Sequence, residues 1–214
     1  MSELIEFDKL NKKKTFLIGT DEAGRGPAAG SVFAAAVCFV QEPAGLLECL
    51  NDSKKLSEKK REELYESIVA NSVYSICEST VSQIEKMNIL NASLDAMKRA
   101  CEEVVAKLDS NDVEVFVDGN KLIKNFEYPQ KYLIKGDSKS ASVAAASILA
   151  KVTRDRVMQQ LDKVYPQYGW ASNKGYLSKA HIEAIKQRGI TEHHRKLFVR
   201  NIMQEQKTEQ LKLI

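Results

Sequence analysis

The sequence predicts a mixed α/β sheet with helices on both faces, and three observations support this prediction. Residues 15–21 and 30–40 are two apolar runs joined by a glycine-rich turn, which predicts a β-hairpin. Residues 81–108 repeat apolar side chains at spacings of three and four, as does a helix that covers a sheet. Residues 113–117 are a short β-rich run, so strands and helices alternate along the chain.

The elements between these segments follow in chain order. Residues 52–56 lead into a helix from about Ser57, whose hydroxyl can cap the first turn. Residues 73–79 return as a third strand. The pattern over residues 81–108 fits one long helix or two helices in series, because the apolar spacing is the same in both.

The second half of the chain continues this alternation. The β-rich run leads to Asp118, where a turn is expected, and residues 132–135 form another candidate strand. A helix then starts at Asp137 or Ser138, and its many alanines leave a smooth face that can lie close against a sheet. Smaller helices from Ala180 onward are expected to cover one end of the molecule.

Length and composition favour one globular unit. A chain of 214 residues can bury one sizeable core but hardly two full domains. We therefore expect a single domain over residues 1–214, with a core over about residues 15–165 and a helical C-terminal extension over about residues 166–214. The content of hydrophobic residues, 43%, and of charged residues, 29%, is ordinary for a soluble protein.

The sequence does not predict a membrane protein or a disulfide-rich protein. The longest apolar stretch, residues 32–40, is far shorter than the roughly 20 residues that span a bilayer. Residues 1–14 lack the apolar segment of a secretory signal. The four cysteines have no close pair, which favours reduced, mostly buried thiols. We therefore expect a cytoplasmic protein without membrane contact, and its size favours a monomer.

Four acidic residues occupy comparable positions, each at a predicted strand end or helix start: Asp21, Glu22, Asp118 and Asp137. The adjacent pair Asp21 and Glu22 would repel each other, so keeping both ionised calls for a bound cation. An acidic turn is the alternative for that pair, and a helix N-cap is the alternative for Asp137. Brought together, the four carboxylates could hold two hard divalent cations such as Mg²⁺, which prefer oxygen ligands.

Cationic residues are concentrated near the C-terminal end. Residues 172–200 contain seven Lys or Arg against two Glu, whereas the whole chain has a formal net charge of only +3. Such a segment can form a phosphate-facing edge or simply a solvated helix face. Lys54, Lys55, Lys174 and Arg195 are candidates for contacts to a nucleic-acid backbone, and simple solvation is the alternative for each lysine.

Seven motifs, in order and at suitable separations, link the chain to a known enzyme family. It resembles the type 2 ribonucleases H, specifically bacterial ribonuclease HII, over nearly its whole length. The motifs are GTDEAGRGP (19–27), DSKKL (52–56), VDG (117–119), KGDSK (135–139), AAASILAK (144–151), KGY (174–176) and His194 with Arg195. The resemblance implies a ribonuclease H-like mixed β-sheet flanked by helices, with a small helical C-terminal extension. The chain departs from the family pattern at Ser31, Asn173 and Leu197, where proline, histidine and serine are common.

The resemblance also implies a reaction. Asp21, Glu22, Asp118 and Asp137 correspond to the four catalytic acids of the family, which bind Mn²⁺ or Mg²⁺, with two ions during catalysis. The implied substrates are RNA–DNA hybrids and duplex DNA that contains single ribonucleotides. Hydrolysis on the 5′ side of the ribonucleotide would leave 3′-hydroxyl and 5′-phosphate ends.

Two further segments are implied to recognise the sugar. Gly24, Arg25 and Gly26 resemble the segment that surrounds the 2′-hydroxyl of the ribonucleotide. Only that hydroxyl distinguishes RNA from DNA at one nucleotide, and glycine lets main-chain groups approach it. Tyr176 resembles the family's tyrosine that packs on the following sugar, and a core tyrosine is the alternative.

Other residues compete for these roles. Asp155 is the rival for the fourth acid, but a continuous helix from Asp137 would place it roughly 27 Å away, so an ion pair with a neighbouring arginine is the preferred interpretation. His193 and His194 are interpreted as packing residues or phosphate contacts. Two other functions stay open: a non-catalytic nucleic-acid-binding module, which would be expected to lack an acid, and a nuclease indifferent to the sugar.

Overall fold

The structure, a computed structural model, describes residues 2–51 and 53–211, and the side chains of Leu46, Lys54 and residues 205–211 lie outside that description. The strands are β1 (Phe16–Ala23), β2 (Val32–Cys38), β3 (Val73–Ser79), β4 (Val113–Asp118) and β5 (Gln130–Leu133). The helices are α1 (Glu3–Asn11), α2 (Glu58–Asn71), α3 (Val81–Met87), α4 (Ile89–Leu108), α5 (Ala141–Val164), α6 (Trp170–Asn173), α7 (Lys179–Arg188) and α8 (Lys196–Leu211). Short 3₁₀ turns cover Gly45–Cys49, Ser53–Lys55, Gly136–Ser138 and Pro166–Tyr168.

The strands form one sheet in the order β3-β2-β1-β4-β5. β2 is antiparallel to both β1 and β3, whereas β1, β4 and β5 are parallel. The predicted fold class, a mixed sheet flanked by helices, is confirmed, as is the predicted hairpin of β1 and β2. Because β1, β3, β4 and β5 run in the same direction, their C-terminal ends meet at one edge of the sheet.

Helices cover both faces of the sheet. α4 packs on one face with apolar residues such as Met97 and Val104, and α5 packs together with α2 on the other face. α5 lies very close to the sheet at Gly19 of β1, where an added Cβ would be 2.2 Å from the backbone carbonyl carbon of Ser142. The prediction of a smooth alanine face on this helix is therefore confirmed.

The break at Asn88 decides between two predictions, and the start of α5 corrects another. Residues 81–108 form two helices in series, because Asn88 adopts a φ of 66° and its side chain caps the first turn of α4. α5 starts at Ala141, where the Ser140 hydroxyl accepts the capping hydrogen bond. The prediction that this helix starts at Asp137 or Ser138 is therefore wrong, as is the N-cap alternative for Asp137.

The strand β5 and the helix α1 also differ from expectation. β5 covers Gln130–Leu133, so the predicted strand at residues 132–135 is displaced by two residues. The chain turns at Lys135, whose φ of 56° is incompatible with an extended strand. The helix α1 was not predicted, because its apolar face is narrow and only Ile5 is buried in the core.

The C-terminal helices pack over the connection between β1 and β2. Trp170, Ile185 and Val199 form an apolar cluster around Ala28 and Ala29 of that connection. The smaller helices expected from Ala180 onward are α7 and α8. Over the described ranges, 2–51 and 53–211, no helix has the length and apolarity that crossing a bilayer requires.

Candidate active site

A cleft of about 370 Å³ opens at the edge of the sheet where β1 and β4 end. Its walls come from these two strands, from the connection after β1, from α5 and from the segment that follows α6. Seven residues predicted for the site line it together: Asp21, Glu22, Gly24, Arg25, Gly26, Asp118 and Tyr176. The fold thus gathers residues from three distant parts of the chain.

The two adjacent acids of β1 lie on different faces of the sheet, because successive side chains of a strand alternate. The Ser147 hydroxyl of α5 lowers the pKa of Asp21, whereas the Ser93 hydroxyl of α4 lowers the pKa of Glu22, each against the larger effect of burial. Arg25 reaches back to Glu22, with 3.2 Å between Nη1 and Oε1. The carboxylates therefore approach the cleft from both sides of the sheet edge.

The other two acids come from neighbouring segments. Asp118 is the last residue of β4, and its Oδ1 accepts a hydrogen bond of 2.7 Å from the Gly136 N–H. That bond brings the Gly136–Ser138 turn, and with it Asp137, next to β4. Asp137 is 7% exposed and is not among the residues that line the cleft.

Burial and like charges raise the pKa of both acids in β1. Burial is the largest cause for Asp21, and repulsion from Glu22 and Asp118 adds to it, so the pKa of Asp21 is well above its usual range. Burial also raises the pKa of Glu22, where the guanidinium of Arg25 opposes the shift and Asp118 adds to it. A divalent cation beside these oxygens would favour the ionised forms and so offset both effects.

The donor set fits a hard divalent cation. Asp21, Glu22, Asp118 and the neighbouring Asp137 offer carboxylate oxygens, the ligands that Mg²⁺ and Mn²⁺ prefer. Within the described ranges, no three acidic, histidine or cysteine side chains are already drawn together as a metal-binding cluster. The predicted cage is thus not preformed, and the carboxylates would have to turn towards a cation to share it.

Residues 24–26 present free hydrogen-bond donors beside these acids. Among the residues that the structure describes, the N–H groups of Gly24, Arg25 and Gly26 have no acceptor. Gly24 has a φ of 106° and lies so close to Arg154 that a Cβ would be 2.3 Å from Nε. Both the conformation and the close approach require glycine.

The ring of Tyr176 borders the same loop. An added Cβ at Gly26 would lie 3.2 Å from its Cε1 atom, and the residue is 53% exposed. The alternative of a core tyrosine is therefore wrong. An exposed flat ring beside free N–H groups can pack against one sugar while those groups contact the preceding one.

The lysines predicted to contact a nucleic-acid backbone differ in their exposure to solvent. Lys55 is exposed, and Lys174 is half-buried with its carbonyl accepting from Arg154. Asp52 and the side chain of Lys54 lie outside the described part of the chain.

Arg195 is placed differently from the sequence prediction. The residue is 1% exposed, and its guanidinium donates to backbone carbonyls inside the protein. The predicted contact to the nucleic-acid backbone is therefore corrected, because the guanidinium is enclosed and its donors are bound to backbone carbonyls.

Asp155 and the histidines take structural positions. Asp155 is buried and pairs with Lys151, with 2.7 Å between Oδ1 and Nζ, so the ion-pair interpretation is right but its partner is a lysine. His194 is buried, and its Nε2 lies 3.1 Å from Nε2 of His181, in agreement with a packing role. His193 is half-buried beside Glu192.

Sequence reasoning missed four residues that line the cleft. Ser147, Lys151 and Arg154 lie on one face of α5, at spacings of four and three residues, and Ser53 hydrogen-bonds Ser147 at 2.9 Å. The helical spacing of these polar residues among alanines was visible in the sequence and would have indicated a polar stripe that faces a site.

The chain is similar to known proteins over most of its length. Residues 18–204 match the family model described as Ribonuclease HII. A relative from Fusobacterium nucleatum subsp. nucleatum, named Ribonuclease HII, is 50% identical over 196 residues, which are 90% of this chain and 91% of the relative. The solved ribonuclease H2 from Pyrococcus horikoshii OT3 superposes with a TM-score of 0.71 at 24% identity, over 90% of this chain and 99% of that chain. Bst-RNase HIII, solved in complex with Mn²⁺, gives a TM-score of 0.70 at 20% identity, over 90% of this chain and 70% of that chain.

Proposed function

Because the chain belongs to the ribonuclease HII family and is a ribonuclease H endonuclease, we propose that it recognises single ribonucleotides in duplex DNA as well as RNA–DNA hybrids. In the first substrate it cuts the phosphodiester on the 5′ side of the ribonucleotide, and in the second it cuts the RNA strand. One observation carries this proposal: acids, free backbone N–H groups and an exposed aromatic ring share one cleft.

The proposed reaction is hydrolysis assisted by two divalent cations, Mg²⁺ or Mn²⁺. Support comes from the oxygen-only donor set and from the Mn²⁺ complex of a protein with the same fold. When bound, such cations activate a water molecule and stabilise the charge on the leaving oxygen. Asp21, Glu22 and Asp118 of the cleft would hold them, together with Asp137 of the turn that Asp118 contacts.

The remaining residues orient the substrate. The N–H groups of Gly24 and Gly26, with the Arg25 side chain, contact the 2′-hydroxyl of the ribonucleotide, and Tyr176 packs on the next sugar. Lys174 contributes a phosphate contact that adds affinity without sequence preference. The 2′-hydroxyl is used for recognition and does not attack the phosphorus, so products carry 3′-hydroxyl and 5′-phosphate ends.

This activity would serve the removal of ribonucleotides and RNA primers during DNA replication and repair. We further propose that the protein works as a single-domain monomer in the cytoplasm, with a core over about residues 15–165 and a C-terminal extension that binds substrate.

A cleavage-site map tests the proposal. Full-length protein is incubated with a duplex that contains one ribonucleotide, and with the matching all-DNA duplex, in Mg²⁺, in Mn²⁺ and in chelator. We expect one cut on the 5′ side of the ribonucleotide, dependent on the cation. A 2′,3′-cyclic phosphate product, or equal cutting of the all-DNA duplex, would contradict the proposal.

A further inference from the structure

Arg195 holds the loop that follows β1 from inside the protein. Its Nη2 donates to the carbonyls of Gly24 at 2.7 Å and Gly30 at 2.6 Å, and its Nε also donates to Gly30 at 2.9 Å. Its Nη1 donates to the carbonyls of Pro27 at 2.7 Å and Arg25 at 3.3 Å. These five hydrogen bonds use every donor of the guanidinium.

Arg154 joins the same loop to a second segment. Its Nε donates to the Ser31 carbonyl at 3.1 Å and its Nη2 to the Ala29 carbonyl at 2.9 Å. Its Nη1 donates to the Lys174 carbonyl at 2.9 Å. One side chain of α5 therefore ties the loop after β1 to the turn that carries Tyr176.

The two segments also contact each other directly. The N–H of Ala28 donates to the Gly175 carbonyl at 2.9 Å, and a Cβ added at Gly175 would lie 2.5 Å from the Ala29 carbonyl oxygen. The Tyr176 carbonyl is held in turn by Nδ1 of His181 at 2.9 Å. The position of the ring is thus set by backbone contacts on both sides of it.

Both guanidiniums are buried charges. Burial lowers the pKa of Arg154 to about 10, and burial together with repulsion from Arg154 lowers the pKa of Arg195 to about 9. Among the described residues, neither guanidinium is hydrogen-bonded to a carboxylate. Hydrogen bonds to backbone carbonyls offset the cost of burial, so both charges hold the backbone of these two segments in place.

We infer that Arg154 and Arg195 are positioning residues. They hold residues 24–31 and 174–176 together as one preformed surface that recognises the sugars at the cleavage site. Their donors draw the loop carbonyls inward, and the N–H groups of residues 24–26 stay free at the cleft. The inference rests on the proposed function, because it explains how the loop and the Tyr176 ring keep their relative distance before substrate binds.

Lysine substitution tests the geometry while keeping the charge. Lysine has three donors on one atom, so it cannot span the carbonyls on both sides of the loop. We expect Arg195→Lys and Arg154→Lys to lower kcat/KM on the single-ribonucleotide duplex by about tenfold or more, because small misplacements reduce catalysis strongly. The Mg²⁺ concentration for half-maximal activity should not change. Arg188→Lys, the same substitution at an exposed arginine, is the control.

Chemical rescue separates positioning from folding. Arg195→Ala is assayed well below its melting temperature, with circular dichroism confirming the fold, in the presence and absence of non-denaturing guanidinium chloride. We expect guanidinium to restore cutting at the ribonucleotide, whereas the same concentration of sodium chloride should not. Folded Arg195→Lys and Arg195→Ala proteins that cut the single-ribonucleotide duplex as the wild type does would overturn the inference.

Gly175→Ala tests the same inference with both arginines in place. The new Cβ would push the Tyr176 turn away from the Ala29 carbonyl, so we expect the same loss of single-ribonucleotide cleavage with unchanged Mg²⁺ dependence. If the arginine variants do not fold, this variant decides, and wild-type cleavage by it would refute the inference. Failure of the proposed function is a different result, because then the wild type itself would not prefer the ribonucleotide.

Discussion

At the scale of single residues, Asp21 shows how the site depends on charge. Its side chain is buried beside two other acids, and both effects disfavour its ionised form. The free energy required to keep it charged is recovered only when a cation lies next to the carboxylate. Stability and catalysis should therefore respond in opposite ways when this charge is removed.

We predict that Asp21→Asn abolishes cleavage without destabilising the fold. Activity should fall by more than about 100-fold, since losing even a group that only orients a metal ligand costs about 10- to 100-fold. The melting temperature in chelator should stay equal or rise, because the change removes a buried charge at nearly constant volume. Thermal melting and gel-based cleavage assays measure the two effects, and Asp95→Asn, at a partly exposed ion pair, is the control. Loss of folding in Asp21→Asn would indicate a structural role instead.

Tyr176 allows a second prediction at this scale. Tyr176→Ala should lower kcat/KM on the single-ribonucleotide duplex by about tenfold, because fully burying an aromatic ring contributes about 1.5–3 kcal/mol and a sugar would cover one face of it. The Mg²⁺ requirement should not change, since the ring lies beside the loop and not among the acids. Tyr176→Phe keeps the ring and should retain most activity. Equal activity of the alanine and phenylalanine variants would contradict a packing role.

At the scale of elements, the contact between α5 and β1 determines where the polar face of the helix lies. Gly19 allows the helix backbone to touch the strand, and the same contact places Ser147 beside Asp21. Close packing at this point therefore fills the core and also positions a polar side chain at the cleft.

We predict that Gly19→Ala destabilises the protein strongly. The new Cβ would lie 2.2 Å from a backbone atom of Ser142, and overpacking of this kind costs about 1–3 kcal/mol or more. For a chain of this size each kcal/mol lowers the melting temperature by about 2 to 4 °C. Gly45→Ala measures backbone strain alone, because its φ of 60° disfavours alanine while nothing lies within 4 Å of a Cβ there, so Gly19→Ala should cost more. An unchanged melting temperature for Gly19→Ala would show that α5 can move away without cost.

At the scale of the whole molecule, a histidine network joins the C-terminal helices to the core. Thr191 donates its N–H to Nδ1 of His194, so Nε2 of His194 carries the proton and donates to His181. Nε2 of His181 also accepts from the indole N–H of Trp170. Protonating either histidine would remove an acceptor that this buried network needs.

We predict that this network loses stability as the pH falls. Burial is the main cause that lowers the pKa of His194, to about 4, and repulsion from His181 and His193 adds to it. In the unfolded chain this histidine has its ordinary pKa of 6.5, so as the pH falls it binds a proton there first. The contribution of His194 to the free energy of unfolding is therefore complete above about pH 6.5 and is lost towards pH 4. The raised pKa values of Asp21 and Glu22 act with the opposite sign, because protonating them favours the folded state.

His194→Gln isolates the contribution of His194 to the pH dependence of stability, since glutamine does not titrate. The melting temperature of the wild type should exceed that of the variant near pH 7, and this difference should shrink as the pH approaches 4. A difference that stays constant across this range would mean that His194 does not titrate with the unfolding reaction.

Local patterns predicted much of the fold and of the site. The strand at residues 73–79 and the helix after Ser57 lie where propensity and capping placed them, because those signals act within a few residues. The break at Asn88 and the turn at Lys135 left no comparable signal, since each depends on a left-handed residue that other contacts stabilise. Arg195 was misplaced because an arginine in a cationic segment has the same sequence pattern whether it faces solvent or the core.

The sequence by itself determined the chemical inventory: carboxylates on predicted strand ends, glycines in the turn after them, and an order of motifs that resembles one family. Only the tertiary structure decided which groups face the cleft and which support it. The physical reason is that burial and hydrogen bonding join distant parts of the chain, as where Arg195 contacts a carbonyl 171 residues earlier. Local sequence sets the conformation of a segment, whereas packing between segments sets the direction in which its donors and charges point.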